Sequence, residues 1–360
     1  MKIVHFFCFL LLFPVLAQAR IQLDKIKLPA HFKIKVYQEG LKGARAMTLG
    51  DQGTLFVGST TQGSVYAVTP DHHLFTIAEK LDYPNGVAFR NGALYVAEVT
   101  RILKYDQIES HLDHPPKPSV VYSGFPDNRA DHFWKFIAFG PDGKLYVPIG
   151  FPCDVCAAKD PYGTISRMNP DGKSIEIIER GIRNTVGFDW DPVDHVLWFT
   201  DNGRDYMGDD LPSDELNRAP KTGMNFGFPY CHQGDVLDPE FGKGKSCADY
   251  TPPEQKLGAH VASLGMRFYT GNSFPKEYRN QIFIAEHGSW NRSVPIGYRV
   301  ALARLDKDRK GGKNEVFAEG WLMKNGKPWG RPVDVQIAKD GSLLVSDDFA
   351  GAIYQIYYEK

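Results

Sequence analysis

A histidine can take the proton of a bound hydroxyl, and arginines around it can hold an anion in place. This chain sets such residues at matching points of a repeated pattern. His132, Arg183 with Asn184, and Arg331 stand just ahead of short apolar runs, as do Arg45 and Asn85. Glu98, Asn202, Glu286 with His287, and Asp347 stand just behind others, and His260 lies a few residues ahead of one more. Buried cations need partners. If these side chains converge on one mouth, that mouth suits an anionic ligand with several carboxylates or phosphates. Any one of them could equally pair with an acid on a neighbouring strand; the set as a whole points to a site.

Two loops add to this. Residues 203–217 carry five carboxylates with glycines, an oxygen-rich composition that suits Ca2+ but lacks the spacing of an EF-hand. A solvated acidic loop is the plainer reading of that composition. Residues 287–293, His-Gly-Ser-Trp-Asn-Arg-Ser, place an aromatic and a cation together, which suits stacking on a planar anionic ring system.

The elements that must position these residues come from six copies of one phrase, at 51–58, 91–98, 142–150, 194–201, 280–286 and 340–347. Each copy opens with turn chemistry, often Asn-Gly or Asp-Gly, and continues as a short apolar strand. Another strand precedes most copies, at 45–49, 86–89, 136–139, 186–190 and 333–338. A third follows most, at 64–68, 101–105, 164–168, 298–305 and 352–357. Six meanders predict an all-β fold, a six-bladed β-propeller, rather than a sandwich with hairpins alike by chance. In a blade the innermost strand starts, and the second ends, at the same face of the ring. That geometry is what gathers the polar residues at one mouth. Residues 31–37 alternate apolar and charged side chains, the pattern of a half-buried strand, and are expected to pair with the last blade near 353–357 and close the ring.

Residues 1–19 have one early lysine, an apolar run over 3–16 and Ala-Gln-Ala at 17–19, the plan of a secretory signal peptide. The run is short for a membrane span. Cys8 lies inside it without the small residues of a lipoprotein cleavage site. The expected product is an exported single propeller domain over 20–360, periplasmic or secreted, with no integral membrane segment. A formal net charge of −1 gives no field for nucleic acid. Aromatic content of 13%, with 35 Gly and 24 Pro, fits strands and turns better than helices. Four cysteines lie beyond the leader. In an exported chain they read as two local disulfides, Cys153–Cys156 and Cys231–Cys247, against a redox Cys-x-x-Cys or a four-cysteine zinc site.

These segments also carry a resemblance. Gly-Ile-Arg-Asn at 181–184, the Asn202-Gly203 turn with Asp-Glu-Leu-Asn at 214–217, and Asp131-His132 ahead of 139–146 resemble the soluble quinoprotein sugar dehydrogenases. With 287–292 and Pro-Cys-x-x-Cys at 152–156, the chain is most similar to their L-sorbosone dehydrogenase-like branch. The resemblance implies a propeller that binds pyrroloquinoline quinone (PQQ) and Ca2+ and oxidises sugar hydroxyls or hydrated aldehydes. It implies His132 as general base, with Arg183 and Asn184 at the quinone oxygens and Arg331 on a PQQ carboxylate. It puts Arg292 where relatives use a lysine, Asn202 and His260 along the cofactor, and the carbonyls of Gly203 and Arg204 on Ca2+. The electron acceptor that follows would be a quinone or a cytochrome.

Two positions depart from the glucose-oxidising pattern. Phe151 stands where relatives place the aspartate that orients the histidine, leaving Asp131 or Asp205 to substitute. Val333 replaces the second arginine of a pair in the last blade. Two further functions therefore compete: a metal-dependent lactonase-type propeller, which wants acids and asparagines around one ion, and a propeller that binds without catalysis. Fold alone does not choose among them.

Overall fold

The structure, a computed structural model, describes residues 21–127 and 129–359. The signal peptide assigned to 1–19 lies outside the described residues. Six antiparallel sheets form the blades of a propeller. The repeated phrase is the second strand of every blade: Leu55–Val57, Ala93–Ala97, Leu145–Ile149, Leu197–Asp201, Ile282–Glu286 and Leu343–Asp347, with every residue buried. A strand covered on both faces by neighbouring blades has no wet side, which is why the phrase reads as a continuous apolar run. The turns leading into it need left-handed backbone. Gly53, Gly92, Gly143 and Gly341 supply it, and His195 and Asn280 adopt it at φ of 60° and 58°.

The innermost strands are Met47–Leu49, Gly86–Arg90, Ala138–Phe139, Phe188–Trp190, Ser263–Phe268 and Pro332–Ile337. Those of blades one, three and four are shorter than the sequence predicts. Residues 136–137 and 186–187 leave the ladder where the chain crosses toward the channel. The crossing is tight: a Cβ on Gly187 would lie 2.2 Å from the Leu264 carbonyl, and one on Gly86 2.5 Å from that of Lys135. Only glycine permits this approach of backbones. Between blades three and four Phe136 meets Phe188 edge-on at 4.9 Å. Burying each such ring contributes about 1.5–3 kcal/mol.

Phe32–Glu39 pairs antiparallel with Ala352–Tyr358, with Ile34 opposite Ile356, and forms the outermost strand of the last blade. The third strand of blade four, Ser213–Ala219, takes up the last part of the segment expected to be an acidic loop. Only 202–212 is loop. After that strand an insertion reaches back to blade three, where Met224–Asn225 pairs in parallel with Glu179 and Arg180. The disulfides are Cys153–Cys156 and Cys231–Cys247; the second closes this insertion. No helix among the described residues is long and apolar enough to cross a membrane.

Candidate active site

The starts of the innermost strands and the ends of the second strands surround a cleft of about 440 Å3. His132, Arg183, Asn184, Asn202, Gly203, His260 and Arg331 all line it, as do Arg45 and His287. His132 turns the chain with a φ of 46° just before the blade-three strand and is 6% exposed. Its Nδ1 lies 3.0 Å from the Phe151 carbonyl. An Nδ1–H donated there leaves Nε2 as the proton acceptor. Asp131 Oδ1 stands 3.2 Å from that Nε2 and also accepts the His132 backbone N–H at 3.0 Å. Burial, reinforced by the Arg183 guanidinium, holds the imidazole well below its ordinary pKa despite the Phe151 bond. Burial raises Asp131. The orienting group is therefore the backbone of residue 151, not an acidic side chain. The Phe151 ring turns away to pack on Phe228 at 4.6 Å. Asp131 sits at the other ring nitrogen, and Asp205 is engaged elsewhere.

Arg183 is fixed by five contacts. Its Nε donates to the Asp154 carbonyl at 2.9 Å, Nη2 to Asp154 Oδ1 at 2.7 Å and Asp205 Oδ2 at 3.3 Å, and Nη1 to the Asn202 carbonyl at 3.3 Å. Its backbone N–H and that of Asn184 donate to the Asp201 carboxylate at 2.9 and 2.6 Å. Burial raises both Asp201 and its cross-strand neighbour Glu215. The Asn184 amide donates to Asn202 Oδ1 at 3.1 Å, and Asn202 donates to the Ser263 carbonyl at 2.7 Å. His260 Nε2 lies 2.8 Å from the Gly208 carbonyl.

The opposite wall is cationic. Arg45 bonds Asn85 at 2.9 Å and Asp348 at 2.9 Å. Asp348 also meets His287 Nε2 at 2.9 Å. Burial pushes the Asp348 carboxyl up, but His287 and Arg45 together hold it well below the usual range. Arg331 Nε and Nη2 donate to the carbonyls of His287 and Gly288 at 3.0 and 2.8 Å, and its guanidinium lies 5.3 Å from the Tyr298 ring centre. Arg331 Nη1 and Arg45 Nη2 make no hydrogen bond among the described residues. Among the described residues two groups in the cleft are buried without hydrogen-bond partners, the donor Trp134 Nε1 and the acceptor Asn291 Oδ1. The carbonyls of Gly203 and Arg204 likewise accept no hydrogen bond among the described residues.

Arg292 and Arg204 do not line the cleft. Arg292 is held by the carbonyls of Asp209 and Val294, outside the mouth, so its guanidinium is turned from the site. The Arg204 side chain runs to Asp238 at 2.6 Å. Glu98, Glu286 and Asp347 face other partners: Arg101, Arg299 and the Arg331 backbone. The acids of 203–217 do not gather round one point. Asp205 meets Arg183 and Asn291, Asp209 meets Ser293, and Asp214 accepts from Gly203 and Ser263. Sequence reasoning passed over Trp134, Asp154, Asn291 and Asp348. Asp348 follows Asp347, Asn291 lies within 287–293, and Asp154 lies between the paired cysteines.

A six-bladed propeller with a polar, cation-rich cleft at one end of its channel is the class that fold and site define. The sequence profile of the glucose/sorbosone dehydrogenase family matches residues 97–355, and the chain belongs to that family. An uncharacterised protein of Borreliella burgdorferi is 36% identical over 350 residues, 93% of this chain and 91% of that one. A pyrroloquinoline quinone-dependent pyranose dehydrogenase of Coprinopsis cinerea is 30% identical over 130 residues, 30% of this chain and 17% of its own length. The calcium structure of a Trichoderma reesei carbohydrate-active enzyme of family AA12 shares the fold, with a TM-score of 0.80 at 18% identity, covering 95% of this chain and 99% of that one.

Proposed function

We propose that the protein is an exported quinoprotein dehydrogenase that oxidises aldoses or related sugar aldehydes, using PQQ and Ca2+. One observation carries the reading: a buried histidine, oriented by a carbonyl and kept neutral, lines a cleft walled by arginines with Asp131 beside its Nε2. Family membership supports it. The residues present fit both groups. Arg45 and Arg331 have amino groups to offer the carboxylates of PQQ, and Trp134 Nε1 is a further donor. Arg183, Asn184, Asn202 and His260 would flank it. The carbonyl of Gly203 in the cleft lining, with that of Arg204 just beyond it, would hold Ca2+, hard oxygen ligands for a hard cation. Bound there, PQQ supplies an electrophilic quinone that takes up hydride, and Ca2+ a Lewis acid that polarises it.

The chain's own part is proton handling and orientation. His132 Nε2 accepts the proton of a substrate hydroxyl, and Asp131 beside it receives the resulting N–H. Because Nδ1–H is bound to Phe151, the ring cannot present the wrong tautomer. Trp134, Leu264 and Ala262 give the cleft an apolar floor that excludes water from the reacting hydroxyl. A metal-dependent lactonase would want Asp205 and Asp214 free for an ion, whereas both are engaged with donors.

Export to the periplasm or beyond is supported by the two disulfides and by the composition of 1–19. The electron acceptor would be a quinone or a cytochrome. The test is dye-linked oxidation of aldoses, ketoaldoses and polyols by protein reconstituted with PQQ and Ca2+. Oxidation above the His132→Ala background is the expected result. Equal rates would replace this reading with that of a non-catalytic propeller.

A further inference from the structure

We propose that Asp154, presented by the Cys153–Cys156 ring, is a positioning residue that clamps Arg183 and the Asp205 loop at the cleft, so that the site is preformed only while this disulfide is closed. Asp154 itself lies outside the cleft lining. It nevertheless ties two walls together. Its carbonyl and Oδ1 accept from Arg183 at 2.9 and 2.7 Å, and the same Oδ1 accepts the backbone N–H of Asp205 at 2.9 Å. Asp205 continues the chain of contacts, meeting Arg183 at 3.3 Å and the Asn291 amide at 2.7 Å. One residue of a blade-three loop thus sets the blade-four arginine and, through Asp205, reaches the 287–293 segment of blade five.

What holds Asp154 is the disulfide. No regular strand lies between Ile149 and Thr164. The loop's ends are pinned by Phe151 N–H on the Arg183 carbonyl at 2.9 Å and Gly163 N–H on the Ile149 carbonyl at 2.7 Å. Over 152–158 no backbone–backbone hydrogen bond is made among the described residues. The Cys153–Cys156 bond closes a small ring around Asp154 and removes most of the conformations that stretch would otherwise sample. Arg183 has only 5% of its side chain exposed, so without Asp154 it would lose the shorter of its two close ion pairs and keep that with Asp205 at 3.3 Å. A guanidinium fork placed in advance loses less on binding a ligand than one that must be ordered at that moment.

The test uses the full chain in four forms besides wild type: Asp154→Ala, Cys153→Ser with Cys156→Ser, all three changes together, and Cys231→Ser with Cys247→Ser as control. Asp154→Ala keeps both disulfides, so it reads the clamp even if the serine variants fold poorly. The first readout needs no cofactor: amide hydrogen exchange over 203–206. The clamp predicts exchange there faster by about tenfold or more in Asp154→Ala and in the Cys153/Cys156 variant, with no further rise in the triple variant and none in the control. The second readout rests on the PQQ reading: titration with PQQ in excess Ca2+, where both variants should bind about tenfold or more weakly, again without additivity. Unchanged exchange over 203–206, or effects that add, would overturn the clamp. Faster exchange in a protein whose wild type does not bind PQQ would uphold the clamp and remove the cofactor reading.

Discussion

The innermost strands of the six blades line one channel, but its two ends differ in how fully their polar groups are bonded. At the far end Arg267 gives Nε to Gln336 at 3.2 Å, Nη1 to the Met266 carbonyl at 2.7 Å and Nη2 to the Met47 carbonyl at 3.4 Å, with Asp334 3.6 Å away. Asp334 accepts the backbone N–H of Met47 and Val335, and Asp189 those of Trp190 and Phe268. At the mouth, Arg45 Nη2, Arg331 Nη1, Trp134 Nε1 and Asn291 Oδ1 have no hydrogen-bond partner among the described residues. Between the two ends Val186, Leu264 and Val333 pack together with Trp134 against them. Val333 thereby has a structural reason: it belongs to the apolar plug under the cleft. Unmet hydrogen-bonding groups beside a cavity are costly unless a ligand or water meets them. The same ring of strands therefore uses charge as scaffold at one end and leaves part of it unbonded at the other.

The largest effect should come from cutting the mouth at its base. His132→Ala is expected to lower aldose oxidation by about 10²- to 10⁴-fold while PQQ still binds, checked by turnover against titration. Loss of both together would make His132 part of the cofactor's binding surface rather than the base. Next, Arg331→Ala should weaken PQQ by about 2–4 kcal/mol in calorimetry. The matching cut at the far end, Arg267→Ala, leaves Asp334 buried without its cation. It should cost about 3 kcal/mol in denaturant unfolding and leave PQQ affinity unchanged. Weakened PQQ binding there would break the division between the ends. Val333→Asn puts an unmet amide in the plug and should cost about 1–3 kcal/mol of stability, again sparing affinity. The smallest effect is in pH. Burial and Arg183 hold His132 below the usual imidazole range, whereas the unfolded chain titrates near about 6.5. Between those values only the unfolded chain carries the extra proton, so His132 removes stability as pH falls through that window. Its rate limb should also lie on the acid side of about 6.5, and a pH–rate profile falling away above that value would contradict the neutral-base geometry.

How much of this was legible in the sequence depends on burial. The six second strands stood out because both their faces are covered, leaving an uninterrupted apolar signal. The third strand of blade four was hidden because it buries Asp214, Glu215 and Asn217. Its acids are satisfied by the backbone N–H groups of Gly203, Ser263 and Gln233, donors that composition does not reveal. His132, Arg183 and Arg331 line one cleft because strand starts face that mouth. The orienting partner of His132 was missed because it is a carbonyl, and a search over side chains sees only Phe151. Arg292 was misplaced for the converse reason: its type suited an anion, but the 287–293 segment presents Trp290 and Asn291 to the cleft and turns the arginine to the Asp209 carbonyl.

We propose that the open-bonded end of the channel is a PQQ site. Calorimetric titration of PQQ into the Ca2+-loaded protein tests it most directly, with wild type, Arg331→Ala and Arg267→Ala run side by side. The account predicts saturable binding of one PQQ per chain that Arg331→Ala weakens and Arg267→Ala leaves intact. No saturable heat in the wild type, or equal weakening by both substitutions, would contradict it.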